Sequence, residues 1–352
     1  MEIYADNLAD SLKDVDQTDF HFKSYRPHPG SLIHHLPKTA NLRMRAARYL
    51  SYPNQANKTR GDINHIMDHG YAHLMARLDP ATTVLTVHDI IPILAGRGLI
   101  RGVTSQKRAH LAEWTARFYK KAARIIAISE NTKRDLVQHC GCDERRIRVI
   151  YYGINTQHSP RPGLTQESSR EDLDLPRNKY LVLITGREFY KNQSTSLKVM
   201  ELLQKQYGEN ISLVRLGGES TTWRNLVKHS PFRRQVIQID YLATEIMPEL
   251  YNAVDCVLFP SWYEGFGLPP VEAMACGTPV VTSNVASLPE ACGNAGVMAA
   301  PDDVKELANG TTRLLNDPEF RQSQIARGLA HAKQFDWEKN ASQTLGVYRE
   351  LN

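Results

Sequence analysis

Two carboxylates eight positions apart, Glu264 and Glu272, lie in the stretch FPSWYEGFGLPPVEAMACGTPVV, residues 259–281, on either side of two glycines and paired prolines. The stretch reads as a strand end, a loop (WYEGFG) and a helix whose first turn accepts Pro269 and Pro270, because N–H groups there need no partner. Gly277 stops that helix. Unpaired N–H groups and the dipole at such a helix start favour a bound anion, and Gly265 and Gly267 let a ligand approach the backbone closely. Two acids would repel an anion, so hydroxyl groups are the better partners for Glu264 and Glu272. A second stretch, ITGREFYKNQST (184–195), sets Arg187 and Lys191 between a strand and a helix start, where two cations would hold a diphosphate by charge-assisted hydrogen bonds. Each residue also has a plainer reading. Glu272 would complement the helix dipole, and Glu264, Arg187 and Lys191 would be solvated loop charges.

Those residues need strands and helices to carry them. Apolar runs such as TTVLTVHD, ARIIAIS and RIRVIYYG predict buried strands, with helices over 104–122 and 130–139 between them. The polar segment 153–178 carries Pro160, Pro162 and Pro176 and interrupts the pattern. Alternation then resumes in KYLVLITG, ISLVRLGG, QVIQID, DCVLFPS and TPVVTS, with helices predicted over 193–206 and 268–275 and an all-helical tail from 301. Residues 1–155 thus form an N-terminal domain, 156–178 a hinge, 179–335 a C-terminal domain, and 336–352 a C-terminal helix that could pack back on the N-terminal domain. Two doubly wound α/β domains facing across a cleft would offer a binding site at the carboxyl ends of both sheets. The run TVLTVHDIIPI puts His88 and Asp89 at a strand end, where a hydrogen-bonded structural histidine is the plain reading, and Ser129 in AISENTKRD reads as a helix N-cap. Gly217 in VRLGGES and Tyr241 in IDYLATEIMPELY sit in two more loops; neither is a G-x-G-x-x-G, so a dinucleotide fingerprint is missing.

A chain of 352 residues fits two domains of about 150 residues each. No apolar run approaches the roughly 18 residues that cross a bilayer, and the start MEIYADNLADSLKDVD is acidic and helix-patterned, so a cytoplasmic location is expected. The five cysteines, 140, 142, 256, 276 and 292, show no C-x-x-C spacing and read as core residues. Charge is uneven: residues 1–155 hold 23 Lys and Arg against 15 Asp and Glu, and 156–352 hold 20 against 23. A basic half would attract anionic lipid headgroups, pyrophosphate-linked substrates or nucleic acid; solvated helix faces are the competing account.

The run E-G-F-G-L-P-P-V-E-A-M-A-C-G-T-P-V-V resembles the E-x7-E signature of the family 4 retaining glycosyltransferases of the GT-B fold, and the likeness continues through SLPEACGNAGVMAAPDD and covers nearly the whole chain. The resemblance implies two Rossmann-like domains, the first on the acceptor side and the second binding a nucleotide sugar. It places Glu264 on the donor sugar and Glu272 on the nucleotide ribose, with Gly265, Phe266, Gly267 and Leu268 lining the donor. Arg187 and Lys191 would meet the donor diphosphate. Gly217 and Tyr241 would belong to loops closing over the base, and His88, in an H-D-x-x-P segment, to the donor sugar and transition state, with Asp89 orienting it. The implied reaction moves a hexose from a UDP- or GDP-sugar to a saccharide or lipid-linked acceptor, as in cell-surface polysaccharide synthesis, with retention and without a metal or other cofactor. Nucleic acid is not an expected partner.

Relatives usually start with a strand and a glycine-rich loop, whereas here the sequence starts at the next helix, with Met1, Tyr4, Leu8, Leu12 and Val15 as its apolar stripe. Either the true start lies upstream or the first domain lacks its usual first strand. The basic segments 42–50 and 96–108 could dock an anionic, lipid-linked acceptor at the inner membrane face, or be solvated helix faces. Two competing functions stay open: an epimerase or phosphorylase on the same scaffold, and a non-catalytic nucleotide-sugar-binding protein.

Overall fold

The runs TVLTV and YLVLIT become strands because β-branched and aliphatic side chains fit both faces of a covered parallel sheet, and nearly all their residues are buried. A computed structural model describes residues 2–15, 20–26, 46–101, 105–160 and 163–351. It divides into two units, the first made of Met1–Leu99, Thr104–Gly153 and Asp336–Asn352, the second of Ile100–Val103 and Ile154–Phe335. The segment read as a hinge contributes helix Gln166–Asp172 to the second unit, where Arg170 donates to Asp255 at 2.8 Å inside the protein.

The first unit holds four parallel strands in the order β1 (Asn64–Ile66), β2 (Thr83–Val87), β3 (Arg124–Ala127), β4 (Ile147–Val149). Helix Glu2–Val15 lays Tyr4, Leu8 and Leu12 into a core with Val84, Ile126 and Ile150, and helix Trp337–Arg349 closes the same core with Ala341, Leu345 and Tyr348. Met1 and the Val15 side chain, also read into that stripe, lie outside the description, as do 42–45 and 102–104 of the two basic segments.

The second unit holds six parallel strands: β5 (Tyr180–Thr185), β6 (Ile211–Leu216), β7 (Val236–Ile239), β8 (Cys256–Phe259), β9 (Val280–Ser283) and β10 (Val297–Ala299). Their order is β10-β9-β8-β5-β6-β7. The chain adds β6 and β7 on one side of β5, then returns to add β8, β9 and β10 on the other. β5 and β8 are therefore the neighbours at which the winding reverses, and the loops leaving their carboxyl ends diverge to leave a crevice there. All five cysteines are free and buried, and none of the described helices is long and apolar enough to cross a membrane.

Candidate functional site

The reversal point of the second sheet collects the residues singled out after β5 and β8. Gly186 follows β5 with φ +87, a conformation that side chains resist, and a Cβ there would stand 3.0 Å from two carbons of Lys191. After the turn Phe189–Lys191, Asn192 takes the left-handed conformation and caps helix Gln193–Tyr207. Its amide donates to the Pro260 carbonyl at 3.1 Å and the Pro301 carbonyl at 2.8 Å, and the Trp262 N–H donates to the Tyr190 carbonyl at 2.8 Å. The loops after β5 and β8 are thereby fastened to each other.

On that frame Lys191 Nζ lies 2.9 Å from Glu264 Oε1, and the two side chains are only 12% and 9% exposed. The ammonium also stands 4.5 Å from the centre of the Phe259 ring, a cation–π contact that helps hold a charge out of water. The Ser287 hydroxyl lies 2.9 Å from the Glu264 carbonyl and 2.7 Å from that of Phe266, which fixes the loop. Gly267, with φ +110, precedes helix Leu268–Ala275; a Cβ there would press on Leu288 Cδ2 at 2.8 Å. In that helix Glu272 is half-buried and accepts a 2.8 Å hydrogen bond from the hydroxyl of Tyr251. Burial first, and then the Glu272 carboxylate, hold the Tyr251 hydroxyl well above the usual phenol range, so it remains a donor.

The remaining predicted residues divide. Gly217, φ +133, brings the loop after β6 against Gly186, whose backbone lies 3.4 Å from the Cβ position. Arg187 is exposed, with its N–H on Glu188 Oε2 at 3.1 Å. Gly265 is buried, Leu268 half-buried, and Tyr241 is 82% exposed after β7. The Phe266 ring is buried and meets Phe335 edge-on, 5.2 Å between centres.

His88 lies in the first unit, at the end of β2. Its Nε2 donates to the Met67 carbonyl at 2.7 Å and its Nδ1 accepts from the Tyr152 hydroxyl, so both ring nitrogens are engaged. Burial, then the neighbouring His69, push its pKa down to about 3, and the ring is neutral. These bonds tie the end of β2 to Met67 and Tyr152. Asp89 accepts from the Ile91 N–H at 2.9 Å, at the start of the helix Ile91–Gly96. Ser129 is the N-cap of Glu130–Cys140, accepting from the Thr132 N–H at 2.9 Å. Sequence reasoning missed Tyr251, for which no local signal exists, and Asn192, whose tolerance of left-handed backbone was a usable one. Among the described residues no group of His, Cys, Asp and Glu is placed to hold a metal ion.

A family model described as "Glycosyl transferases group 1" matches residues 165–331, and one described as "Glycosyltransferase Family 4" matches 1–158. The chain belongs to the family 4 glycosyltransferases. Another glycosyltransferase, O-antigen chain mannosyltransferase B of Escherichia coli, is 32% identical over 231 residues, 64% of this chain and 60% of that protein. The chain thus spans less than two thirds of the length of that relative. Among solved structures, sucrose-phosphate synthase from Thermosynechococcus elongatus superposes with a TM-score of 0.77 at 21% identity, covering 99% of this chain and 92% of that one. HepE of Anabaena in complex with UDP-glucose gives 0.72 at 21% identity, covering 88% and 84%. These likenesses establish the glycosyltransferase fold of two parallel-sheet α/β domains.

Proposed function

We propose that this chain is a retaining hexosyltransferase that takes a UDP- or GDP-sugar as co-substrate, without a further cofactor, and glycosylates a saccharide or lipid-linked acceptor in polysaccharide synthesis. The observation that carries the reading is the Lys191–Glu264 pair, 2.9 Å apart at the reversal point of the second sheet, joining the loops after β5 and β8. A pair of opposite charges at one spot suits a ligand that is itself an anion joined to a polyol. The ammonium meets phosphate, the carboxylate accepts sugar hydroxyls, and Glu272 accepts hydroxyls of the ribose. The name of the Escherichia coli mannosyltransferase and the UDP-glucose held by the Anabaena protein support this chemistry.

As the sugar–phosphate bond breaks, positive charge grows at the anomeric carbon and negative charge on the leaving phosphate. Arg187 and Lys191 stabilise that charge most in the transition state, where it is largest. With the acceptor hydroxyl entering on the face that the phosphate leaves, its proton passes to the departing phosphate oxygen and configuration is kept. A covalent route through Glu264 would need a second carboxylate about 5 Å away to work as acid and base, whereas its close partner is Lys191. A lipid-linked acceptor would be met at the cytoplasmic membrane face, with the basic residues of 96–108 contributing attraction.

The test incubates the chain with a panel of UDP- and GDP-hexoses and with saccharide and lipid-linked acceptors, following nucleotide release and the anomeric configuration of the product by NMR. Acceptor-dependent release with retention is expected. Inversion refutes the mechanism, and nucleotide binding without release under every acceptor makes the chain a binding protein.

A further inference from the structure

Arg215 is the next-to-last residue of β6 and is fully buried, although its guanidinium keeps its charge. Its hydrogen bonds go to oxygens of the loops at the carboxyl ends of β5 and β6. One terminal nitrogen donates to the Gly217 carbonyl and, at 3.2 Å, to Gln238 Oε1; the other lies 3.4 Å from the Gly186 carbonyl and 3.3 Å from that of Gly218. The guanidinium carbon sits 4.8 Å from the Trp223 ring, and the indole N–H donates to Gln238 Oε1 at 3.0 Å. Two side-chain amides reinforce the same carbonyls: Gln193 donates to Gly186 at 2.6 Å and Gln238 to Gly217 at 2.8 Å. Desolvation lowers the Arg215 pKa, the mark of a charge held from water.

The peptide unit turns this arrangement into a consequence at the loop surface. In a trans peptide the C=O of one residue and the N–H of the next point in opposite directions. Drawing the carbonyls of Gly186, Gly217 and Gly218 inward onto one guanidinium therefore aims the N–H groups of Arg187, Gly218 and Glu219 outward. At the first of these the outward N–H already holds a carboxylate oxygen, Glu188 Oε2 at 3.1 Å, so the position accepts an anion. Gly186 and Gly217 suit this duty, since both hold a positive φ that other side chains resist while their carbonyls meet Arg215. A positive charge directly beneath the aimed N–H groups adds to their pull on an anion.

We propose that Arg215 is a positioning residue that presets the β5 and β6 loops as a diphosphate cradle and supplies a buried counter-charge to it. The proposal rests on the nucleotide-sugar reading of the same site and adds a residue that never touches the ligand. It predicts a split between phosphate and base: in Arg215→Gln, affinity for UDP or GDP, whichever the wild type binds, falls about tenfold or more, the scale of one charged hydrogen-bonding interaction. Affinity for the matching nucleoside, uridine or guanosine, stays within twofold.

Isothermal titration of the full chain with the diphosphates and nucleosides measures both, alongside the donor KM and kcat. Arg215→Lys keeps the charge but not the three-carbonyl fork, and is expected to remain several-fold weaker than the wild type. If Arg215→Gln does not fold, Gln193→Ala, which removes only the amide on the Gly186 carbonyl, is expected to show the same split on a smaller scale. Equal losses for diphosphate and nucleoside, or full recovery in Arg215→Lys, overturn the positioning role while leaving the nucleotide-sugar reading intact. A wild type that binds neither diphosphate overturns both.

Discussion

Replacing Glu264 by glutamine keeps the shape of the side chain and removes one charge from a pair 2.9 Å apart with 9% and 12% of its side chains exposed. Breaking a buried pair by removing one partner costs on the order of 3–5 kcal/mol. The amide oxygen still accepts a hydrogen bond from the Lys191 ammonium, and bonds to a charged group contribute about 1.5–3 kcal/mol. A net destabilisation of about 2 kcal/mol is therefore expected in urea denaturation of the full chain. The same change leaves an ammonium in want of an anion. A nucleoside diphosphate placed as proposed would restore the counter-charge, so Glu264→Gln should bind UDP or GDP up to about thirtyfold more tightly than the wild type, the ratio equivalent to 2 kcal/mol. Sugar transfer should move the other way and fall about a hundredfold, the usual scale for losing one preorganised electrostatic group. Titration calorimetry and nucleotide-release kinetics on the same preparation separate these effects. Diphosphate binding that is unchanged or weaker in the variant refutes the placement of Lys191 on phosphate, and unchanged turnover refutes the placement of Glu264 on the sugar.

Three further predictions concern the frame of the site and the first unit. His65 and His88 are both held neutral by burial, each pushed down to about 3 from an ordinary 6.5, so the folded chain takes up fewer protons than the unfolded chain below pH 6.5. Their contribution is complete above pH 6.5 and is lost as pH falls toward 3, by about 1.4 kcal/mol per pH unit for each; urea titrations from pH 6.5 to 5 should show that slope, and a flat profile would contradict it. His65→Gln, which gives up ring contacts to Tyr348 and Thr86 at 2.7 Å each, should remove about half of it. Gly267→Ala should destabilise the chain by about 1–3 kcal/mol, since it combines φ +110 with a 2.8 Å contact to Leu288; a change within a few tenths in the denaturation midpoint energy would show that the loop relaxes freely. Tyr251→Phe removes the 2.8 Å hydrogen bond to Glu272 and should raise the donor KM several-fold with kcat nearly unchanged, about 1 kcal/mol of lost binding; an equal fall in both constants would place Glu272 in the chemical step instead.

The interior strands were readable because burial on both faces writes an unbroken apolar run, as in β2, β5, β6 and β8. The edge strands β1 and β10 were not, since three residues with one neighbour and partial exposure, Asn64–Ile66 and Val297–Ala299, leave no run to read. Helix 268–275 was legible from Pro269 and Pro270 in its first turn and Gly277 after its end, and helix 193–206 was found without its cap, Asn192. At the site, Glu264 and Lys191 were each legible as chemistry, but their pairing was not. It depends on β8 lying beside β5, a fact of topology with no local signature. The partners of His88 are likewise set at a distance, Tyr152 and Met67, neither adjacent in the chain.

Helix Trp337–Arg349 gives Ala341, Leu345 and Tyr348 to the same interior as Tyr4 and Leu8. During synthesis, therefore, the portion emerging from the ribosome first has to wait with Tyr4, Leu8, Val84 and Ile126 uncovered until codons for 337–349 have been read, whereas residues 154–335 have all their own partners earlier. The usual order, in which the leading domain matures before the trailing one, is inverted, and a chain cut after residue 335 would keep a complete second unit beside an open first one.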